Sequence, residues 1–212
     1  MARKTETDKQ ITYQKLLDSA SQLFIEQGVA GTTLNKIAEH AGMTRGAVYW
    51  HFDNKDDIIK SLWQEGAGEA HAAFMKSLSS LAPEKADADF RFTIKGVLDH
   101  VLNDPKYTQS LRILMHCIEF SDAKTPLNQF LMEKQSDYWT GLSGAFGQLR
   151  SLNLLRSSLS NEALASGLLS YLFGLIHHHL ETCSPVDLQQ DGQALLDIYL
   201  DSVLVASEPD KR

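Results

Sequence analysis

The spacing of apolar residues restricts the fold more than any other feature of this sequence, because it is helical along almost the whole chain. The first predicted helix shows it clearly, with inward residues at intervals of three and four: Leu16, Leu17, Ala20, Leu23 and Phe24. We find no alternation of apolar and polar residues long enough for a convincing strand. The pattern therefore predicts an all-α protein of about nine helices.

Capping residues and glycines predict where these helices begin and end. The first helix is expected over about residues 8–27, ending at Gly28 in a left-handed conformation. Thr33, Thr44 and Asn54 are the predicted N-caps of helices at 34–40, at 45 to about 51, and from 55 to about 80. Further helices are predicted at about 87–102, 105–121, 126–152, 160–182 and 188–206.

Composition and charge indicate a globular protein with a distinct N-terminal part. The 212 residues are 43% hydrophobic and 22% charged. No apolar run of about 18 residues is present and the polar N-terminus lacks a signal-peptide core, so we expect a cytoplasmic protein without a membrane span. The net charge of −7 arises from residues 61–212, whereas residues 1–60 are balanced and carry Arg3, Lys4, Lys9 and Lys15 near their start.

The segment "TRGAVYWHF", residues 44–52, is unusual in an acidic chain. Tyr49, Trp50 and His51 are consecutive and cannot all face inward from one helix, whereas Val48 and Phe52 can. With the turn at Gly42, the second and third helices form a predicted helix-turn-helix. Its inner face comprises Ile37, Ala38, Ala41 and Val48, and its outer face comprises Thr44, Arg45, Gly46, Tyr49 and Trp50.

Each outward residue has a predicted role on DNA. Arg45 can donate two hydrogen bonds to a guanine edge, and Gly46 keeps the helix thin enough to approach the major groove. Thr33 and Thr44, at helix starts, can bind phosphates. The remaining predicted phosphate contacts are Tyr49, Trp50, His51 and Lys55.

The stretch from about Ile11 to Leu62 resembles the DNA-binding domain of the TetR family. The resemblance is carried by "LLDSASQLFIEQGVAGTTLNKIAEHAGMTRGAVYWHFDNKDDI". "TRGAVYWHF" and "CIEF" are most similar to the AcrR-type branch, which represses multidrug efflux genes, and a weaker similarity extends through "GLIHHHLETCSPVDL". The same DNA contacts follow from the matching motif positions.

The resemblance implies a homodimer formed by the last two helices, a helical ligand-binding domain, and release of DNA when a small molecule binds. We therefore predict a helix-turn-helix domain over residues 1–55 and a ligand-binding and dimerisation domain over 56–212. The predicted protein is a ligand-responsive repressor that binds a pseudo-palindromic operator. It controls a multidrug efflux system and is released by small amphipathic or aromatic compounds. The alternative is a TetR-type repressor of a metabolic operon that senses fatty acids or acyl thioesters.

Candidate ligand residues are scattered over the later helices. "LMHCIEF" places Met115, His116 and Glu119 in an apolar helix, where pliable and polar groups suit a ligand pocket. Glu119 could pair with a cationic drug or serve as a structural carboxylate bonded to backbone or His116. Further candidate wall residues are Trp63, Trp139, Phe173, Ile176 and His177.

Other chemistries are disfavoured by the sequence. The adjacent histidines 177–179 fan out over about 200° of a helix, so at most two converge, and we expect no metal site. The two cysteines, Cys117 and Cys183, are interpreted as half-buried small apolar residues, with redox sensing as the alternative. No nucleophile elbow or phosphate-binding loop is recognisable, so we expect neither an enzyme nor a cofactor. A DNA-compacting scaffold is a further alternative.

Overall fold

The computed structural model describes residues 6–118, 125–181 and 186–205. In these ranges the chain forms nine helices, a short 3-10 turn (Pro83–Lys85) and one isolated extended pair, Leu155 with Leu204. The helices are α1 (Glu6–Gly31), α2 (Leu34–His40), α3 (Arg45–His51), α4 (residues 55–79), α5 (Ala86–Asn103), α6 (residues 105–117), α7 (Pro126–Ser151), α8 (Asn161–Leu180) and α9 (Leu188–Val203). The predicted all-α class is confirmed. Of the described helices, none has both the length and the apolar character that a bilayer crossing requires.

Short polar side chains start the helices of the N-terminal part as predicted. Thr33 Oγ1 accepts the backbone N–H of Lys36 at 3.2 Å, and Thr44 Oγ1 accepts that of Ala47 at 3.2 Å. Asn54 Oδ1 accepts the N–H of Asp57 at 3.0 Å at the start of α4. These bonds satisfy N–H groups that have no partner inside the helix. The second, third and fourth helices therefore begin at the predicted residues.

Gly28 interrupts α1 rather than ending it. Its backbone has φ 75° and ψ 164°, which is not helical, and a further helical turn follows as far as Gly31. A positive φ of this kind favours glycine because a Cβ would be strained there. The buried Thr32 hydroxyl then donates to the carbonyl of Gly28 at 2.9 Å. This bond closes the turn that leads into α2.

Two helices contain a π-helical segment that the apolar spacing does not reveal. In α4, the α-helical Lys55–Trp63 continues as the π-helical Gln64–Gly68 and then as the α-helical Glu69–Ser79. In α6, Pro105–Arg112 continues as the π-helical Ile113–Cys117. Such segments are rare and are frequent at functional sites. The helix α6 ends at Cys117, whereas the sequence predicted a helix that continues to about residue 121.

The chain divides into two compact units. The first consists of Met1–Glu69 with Lys106–Phe130, and the second of Ala70–Pro105 with Leu131–Arg212. The first unit thus combines the helix-turn-helix with α6 and the start of α7. The predicted functional boundary between residues 55 and 56 stays a prediction.

The core of the first unit is built from the inward faces of α1 to α4. Its central side chains are almost completely shielded from solvent: Leu16, Phe24, Ile37, Val48, Phe52 and Ile58. They fix the crossing of α2 and α3 and leave the opposite face of α3 outside. Burying each such side chain contributes about 1.5–3 kcal/mol relative to exposure.

In the second unit, α8 and α9 are tied together by a tyrosine pair. The Tyr171 hydroxyl donates to the carbonyl of Leu195 at 2.7 Å, and the Tyr199 hydroxyl donates to that of Leu164 at 3.3 Å. The two rings stack with centroids 5.3 Å apart. Burial raises the pKa of both hydroxyls above the ordinary tyrosine value, which already keeps each of them a donor at neutral pH. The pair fixes the register of the last two helices.

The last helix is shorter than predicted. It ends at Val203 because the chain beyond it pairs with the segment after α7. The Val205 N–H donates to the Leu154 carbonyl at 2.9 Å, and the Arg156 N–H donates to the Val203 carbonyl at 2.8 Å. These long-range bonds replace the next helical turn, which local sequence alone favours.

Candidate DNA-binding surface and ligand groove

The outer face of α3 is open to solvent. The side chains of Tyr49 and Trp50 are 55% and 63% exposed, and Arg45 and Gly46 are exposed beside them. On the opposite face Val48 is fully buried. The predicted division of "TRGAVYWHF" into inward and outward residues therefore matches the observed burial.

Arg45 is oriented by a side chain of α2. Its Nε donates to Oδ1 of Asn35 at 2.5 Å, from the exposed Arg45 of α3 to the half-buried Asn35 of α2. The bond joins the start of α3 to α2 and holds the guanidinium on the outer face. The sequence interpretation did not include Asn35, because its polar side chain alone does not reveal this contact across the turn.

Gly46 lies next to Arg45 on the same face. A Cβ added at Gly46 would meet, among the described residues, only the Thr44 hydroxyl, at 3.9 Å. The fold itself therefore does not require a glycine here. Because Gly46 has no side chain, a partner molecule can instead approach the backbone of α3 closely at this position.

Aromatic rings connect the end of α3 to α1. The half-buried His51 ring lies 4.5 Å from that of Trp50, edge to face, and 5.7 Å from that of Tyr13. Lys9 Nζ lies 5.3 Å from the Trp50 ring centroid, within the range of a cation–π contact. His51 is therefore a supporting residue as well as a predicted phosphate contact.

An open cavity of about 420 Å³ separates the start of α1 from α3. Its lining residues are Lys9, Thr12, Thr44, Gly46, Ala47, Trp50 and His51. Four of the eight predicted DNA contacts thus surround one recess. The sequence interpretation placed Lys9 only in a basic segment; the structure brings its ammonium to the edge of α3.

Lys55 is less accessible than a pure phosphate contact would be. Its half-buried ammonium donates to the carbonyls of Val29 at 2.6 Å and of Thr32 at 2.9 Å. These bonds join the start of α4 to the turn between α1 and α2. The predicted phosphate contact stays a prediction, and the structure adds an anchoring role.

The candidate ligand residues fall in both units: Trp63, Met115 and His116 in the first, and Trp139, Phe173, Ile176 and His177 in the second. Trp63 is buried, with its ring 5.3 Å from and edge-on to that of Phe130. Met115 and His116 lie on the π-helical segment of α6, half-buried and exposed respectively. Glu119 and Cys183 lie outside the described residues. Cys117 is half-buried, and burial raises the pKa of its thiol, opposed by Arg112.

Two of the predicted wall residues, Trp139 and Phe173, line a groove of about 470 Å³ between α7 and α8. Its other lining residues are Met132, Gln135, Ser136, Ser166, Leu169 and Ser170. Trp139 Nε1 donates to the Ser166 hydroxyl at 3.1 Å, which fixes the indole along the groove. Ile176 is buried instead, and His177 pairs with Glu181 at 3.3 Å. This surface is called the α7–α8 groove below.

A polar cluster inside the second unit was not predicted. The ring of His71 is 9% exposed, with Nε2 at 3.6 Å from Oδ2 of Asp137. Lys134 Nζ lies 2.7 Å from the same carboxylate, and the Tyr138 ring packs edge-on against His71. Burial lowers the pKa of His71, Lys134 lowers it further and Asp137 opposes both. The only sequence feature that marked this cluster was a histidine within the small-residue stretch "GAGEAHAA".

Comparison with known proteins identifies the family. Residues 16–62 match the model of the bacterial regulatory proteins of the tetR family. The HTH-type transcriptional regulator TtgR of Pseudomonas putida is 30% identical over 201 residues, covering 95% of this chain and 95% of TtgR. The chain belongs to the TetR family.

Other TetR-family regulators are similar over nearly the full length. AcrR of Shigella flexneri is 28% identical over 212 residues, covering 97% of this chain and 95% of AcrR. The structure of SmeT, the repressor of the Stenotrophomonas maltophilia multidrug efflux pump SmeDEF, has a TM-score of 0.71 and 26% identity, and the match covers 94% of both chains. SmeT is also known as a complex with triclosan. The predicted resemblance is confirmed.

Membership of the TetR family settles the class of activity. Its members are DNA-binding transcriptional regulators that act as dimers, bind small molecules and are not enzymes. The prediction of a DNA-binding regulator is therefore confirmed. In the described parts of this TetR-family chain, no three His, Cys, Asp or Glu side chains are grouped as metal ligands would be.

Proposed function

We propose that this protein is a ligand-responsive repressor that binds a pseudo-palindromic operator as a homodimer and controls a multidrug efflux system. The observation that carries the proposal is the exposed outer face of α3, where Arg45, Tyr49 and Trp50 stand opposite the buried Val48. The similar regulator SmeT represses an efflux pump. An exposed amphipathic helix of this width fits the major groove of B-DNA.

The outer face divides into residues that read bases and residues that hold the backbone. Arg45 donates to a guanine edge, and Gly46 lets the helix approach the base pairs. The phosphate contacts are assigned to Thr33, Thr44, Tyr49, Trp50, His51 and Lys55. The Lys9 ammonium at the edge of α3 adds positive charge beside this set.

The dimer is proposed to form through α8 and α9. Ile198 on α9 is 68% exposed although it is a large aliphatic side chain. The tyrosine pair holds both helices in one register, so they present a single rigid surface. A twofold dimer places its two recognition helices in successive major grooves, about 34 Å apart.

The inducer is proposed to be a small aromatic or amphipathic compound held in part by the α7–α8 groove. The groove is of the size of small-molecule sites, about 300–1,000 Å³. The Trp139 and Phe173 rings supply apolar area, and hydroxyl and amide groups supply hydrogen bonds. A groove with these walls suits a compact aromatic better than an extended acyl chain.

In vitro selection from random DNA duplexes tests the repressor proposal. We expect enrichment of one pseudo-palindromic sequence and release of the protein from it by triclosan rather than by a long-chain acyl thioester. Release by the acyl thioester alone would favour the metabolic alternative. Failure to enrich any sequence would instead indicate a DNA-compacting protein and overturn the proposal.

A further inference from the structure

The recess between the start of α1 and α3 places an ammonium group beside the recognition helix. Its walls include Lys9 of α1 and Thr44, Gly46 and Trp50 at α3, and we call it the α1–α3 recess. Lys9 Nζ lies 5.3 Å from the Trp50 ring centroid and 3.2 Å from Oε2 of Glu6. The Glu6 side chain is 89% exposed, whereas that of Lys9 is 36% exposed. Lys9 is therefore held at the recess, while its anionic partner lies in solvent.

The ion pair between Lys9 and Glu6 is of a kind that another anion can replace. Exposed pairs contribute little to stability, because water screens the charges and both side chains lose freedom. An ammonium group has three N–H donors and no acceptor, so it favours anionic oxygen atoms. An anion that enters the recess can therefore bind Lys9 without first breaking a buried contact.

The opposite wall of the recess presents a second donor to such an anion. Thr44 is exposed; its Oγ1 accepts the N–H of Ala47 at 3.2 Å, and its own O–H can donate to another group. Gly46 adds no side chain to the space of about 420 Å³. Within the described part of the chain, none of the lining residues is acidic. The α1–α3 recess therefore has the charge and the hydrogen-bond donors that an anion requires.

Ring contacts fix the distance between the two walls. The Tyr13 ring of α1 stacks on that of Phe52, directly after α3, with centroids 5.4 Å apart. The Tyr13 ring also lies 5.7 Å from that of His51, the last residue of α3. Phe52 is 3% exposed, so this contact belongs to the core of the first unit. Lys9 and Thr44 are therefore held on opposite sides of one preformed site.

The position of the recess beside α3 determines which anion reaches it. An α-helix with its side chains is about 10–12 Å wide, and the major groove is about 12 Å wide. Groups on the flanks of a helix in that groove therefore meet the phosphates of the two strands rather than base edges. We propose that the α1–α3 recess binds one backbone phosphate of the operator in each half-site, with Lys9 and Thr44 as its ligands and Glu6 displaced. This inference rests on the proposed function and adds α1 to the DNA-binding surface.

Lys15 provides a matched control for Lys9, because it is exposed on the same helix but lies outside the lining of the recess. Lys9→Ala and Lys15→Ala each remove one positive charge from α1, so the long-range attraction to DNA changes by similar amounts. Lys9→Ala should weaken operator binding about tenfold per half-site and flatten the plot of log affinity against log salt by about one unit per half-site. Lys15→Ala should change both quantities much less. Glu6→Gln removes the competing carboxylate and should instead raise the affinity.

Neutral phosphate analogues locate the contact on the DNA. Each phosphate of the selected operator is replaced in turn by an uncharged methylphosphonate, and every duplex is titrated with the wild type and both lysine variants. At one position per half-site the wild type should lose about tenfold in affinity. Lys9→Ala should lose clearly less at that position, because two changes that remove the same interaction do not add. Lys15→Ala should keep the full loss there.

The possible outcomes separate this contact from its alternatives. Equal effects of Lys9→Ala and Lys15→Ala, or full additivity of Lys9→Ala with every methylphosphonate, would overturn the phosphate contact. Inorganic phosphate that binds the wild type but not Lys9→Ala in calorimetry, together with such additivity, would assign the recess to a free anion. If Lys9→Ala does not fold, Glu6→Gln decides the outcome, and an unchanged affinity would then overturn the contact. A wild-type protein that enriches no pseudo-palindrome would instead refute the proposed function.

Discussion

Arg45 illustrates how one neighbouring side chain prepares a residue for its partner. The guanidinium can rotate about four side-chain bonds, but its Nε is tied to Asn35 on the preceding helix. Ordering a long side chain before binding lowers the entropy lost on association. The planar group is thus already held on the outer face of α3, where the proposed DNA contact lies.

Replacing Arg45 by alanine should remove base recognition at one position in each half-site. We expect Arg45→Ala to weaken operator binding by about 1–3 kcal/mol per half-site and to relax the preference for guanine there. Binding to all single-base variants of the operator measures both effects. Asn35→Ala is the matched control and should weaken binding less without changing the preferred base. An equal loss on every sequence would show that Arg45 contacts only phosphate.

Lys55 should contribute both to stability and to salt-dependent binding. Lys55→Ala removes two charge-assisted bonds to the carbonyls of Val29 and Thr32, so urea unfolding should show a loss of about 1.5–3 kcal/mol. If the third ammonium N–H reaches a phosphate, the plot of log affinity against log salt should also become flatter by about one unit. A stability loss with an unchanged salt slope would assign Lys55 to anchoring alone.

His71 should make stability depend on pH. Burial holds its folded pKa below the ordinary value of 6.5, so between these two values the unfolded chain binds more protons than the folded protein. Stability is therefore complete above 6.5, falls as the pH falls from 6.5 to the lower folded pKa, and levels off below it. Urea unfolding at several pH values should show this fall in the wild type and a smaller fall in His71→Gln.

Asp137→Asn gives the opposite change for the same group. It removes the carboxylate that raises the pKa of His71, so the fall in stability with decreasing pH should become larger. The same pH dependence in both variants and in the wild type would exclude His71 as its source.

Residue roles could be predicted where geometry within one helix decides them. Tyr49, Trp50 and His51 had to diverge because they are consecutive, and the structure places two of them outside and one between rings. The anchoring role of Lys55 could not be predicted, because its partners lie more than 20 residues earlier in the chain. Such contacts depend on the packed fold, and the spacing of apolar residues in the sequence does not reveal them.

At the scale of elements, helix starts were more predictable than helix interiors and some helix ends. An N-cap such as Thr44 bonds within three residues of itself, so the local sequence contains the whole signal. The π-helical segment of α4 follows a hydrogen bond from Ser110 to Leu62, two residues that lie 48 positions apart in the chain, so the local sequence does not contain this contact. The end of α9 likewise depends on pairing with the segment after α7.

The register of α8 and α9 should depend on the tyrosine pair. Tyr171→Phe keeps the stacked ring but removes the bond to Leu195, which should cost about 1 kcal/mol in urea unfolding. Tyr199→Phe removes the longer bond, at 3.3 Å, and should cost less. A double variant tests coupling between the two bonds. Equal stability of all these proteins would show that stacking alone holds the helices.

At the scale of the whole molecule, dimerisation through α9 should depend on its exposed apolar face. Ile198→Asp places a charge at this surface, so sedimentation at micromolar concentration should show a shift toward monomer and weaker binding to the full operator. Phe92→Asp is the control, since Phe92 on α5 is 81% exposed and lies outside the proposed interface. Dimers of unchanged affinity in both variants would exclude this face of α9.

The DNA-reading unit is discontinuous in sequence, because Lys106–Phe130 joins Met1–Glu69 in one compact body. A chimeric repressor that borrows only the first 55 residues would separate α1 from the end of α6, which it contacts. Transferring operator specificity to another ligand-binding domain should therefore require that both stretches be transferred together. Residues on the surface that these two stretches share would have to change together during evolution.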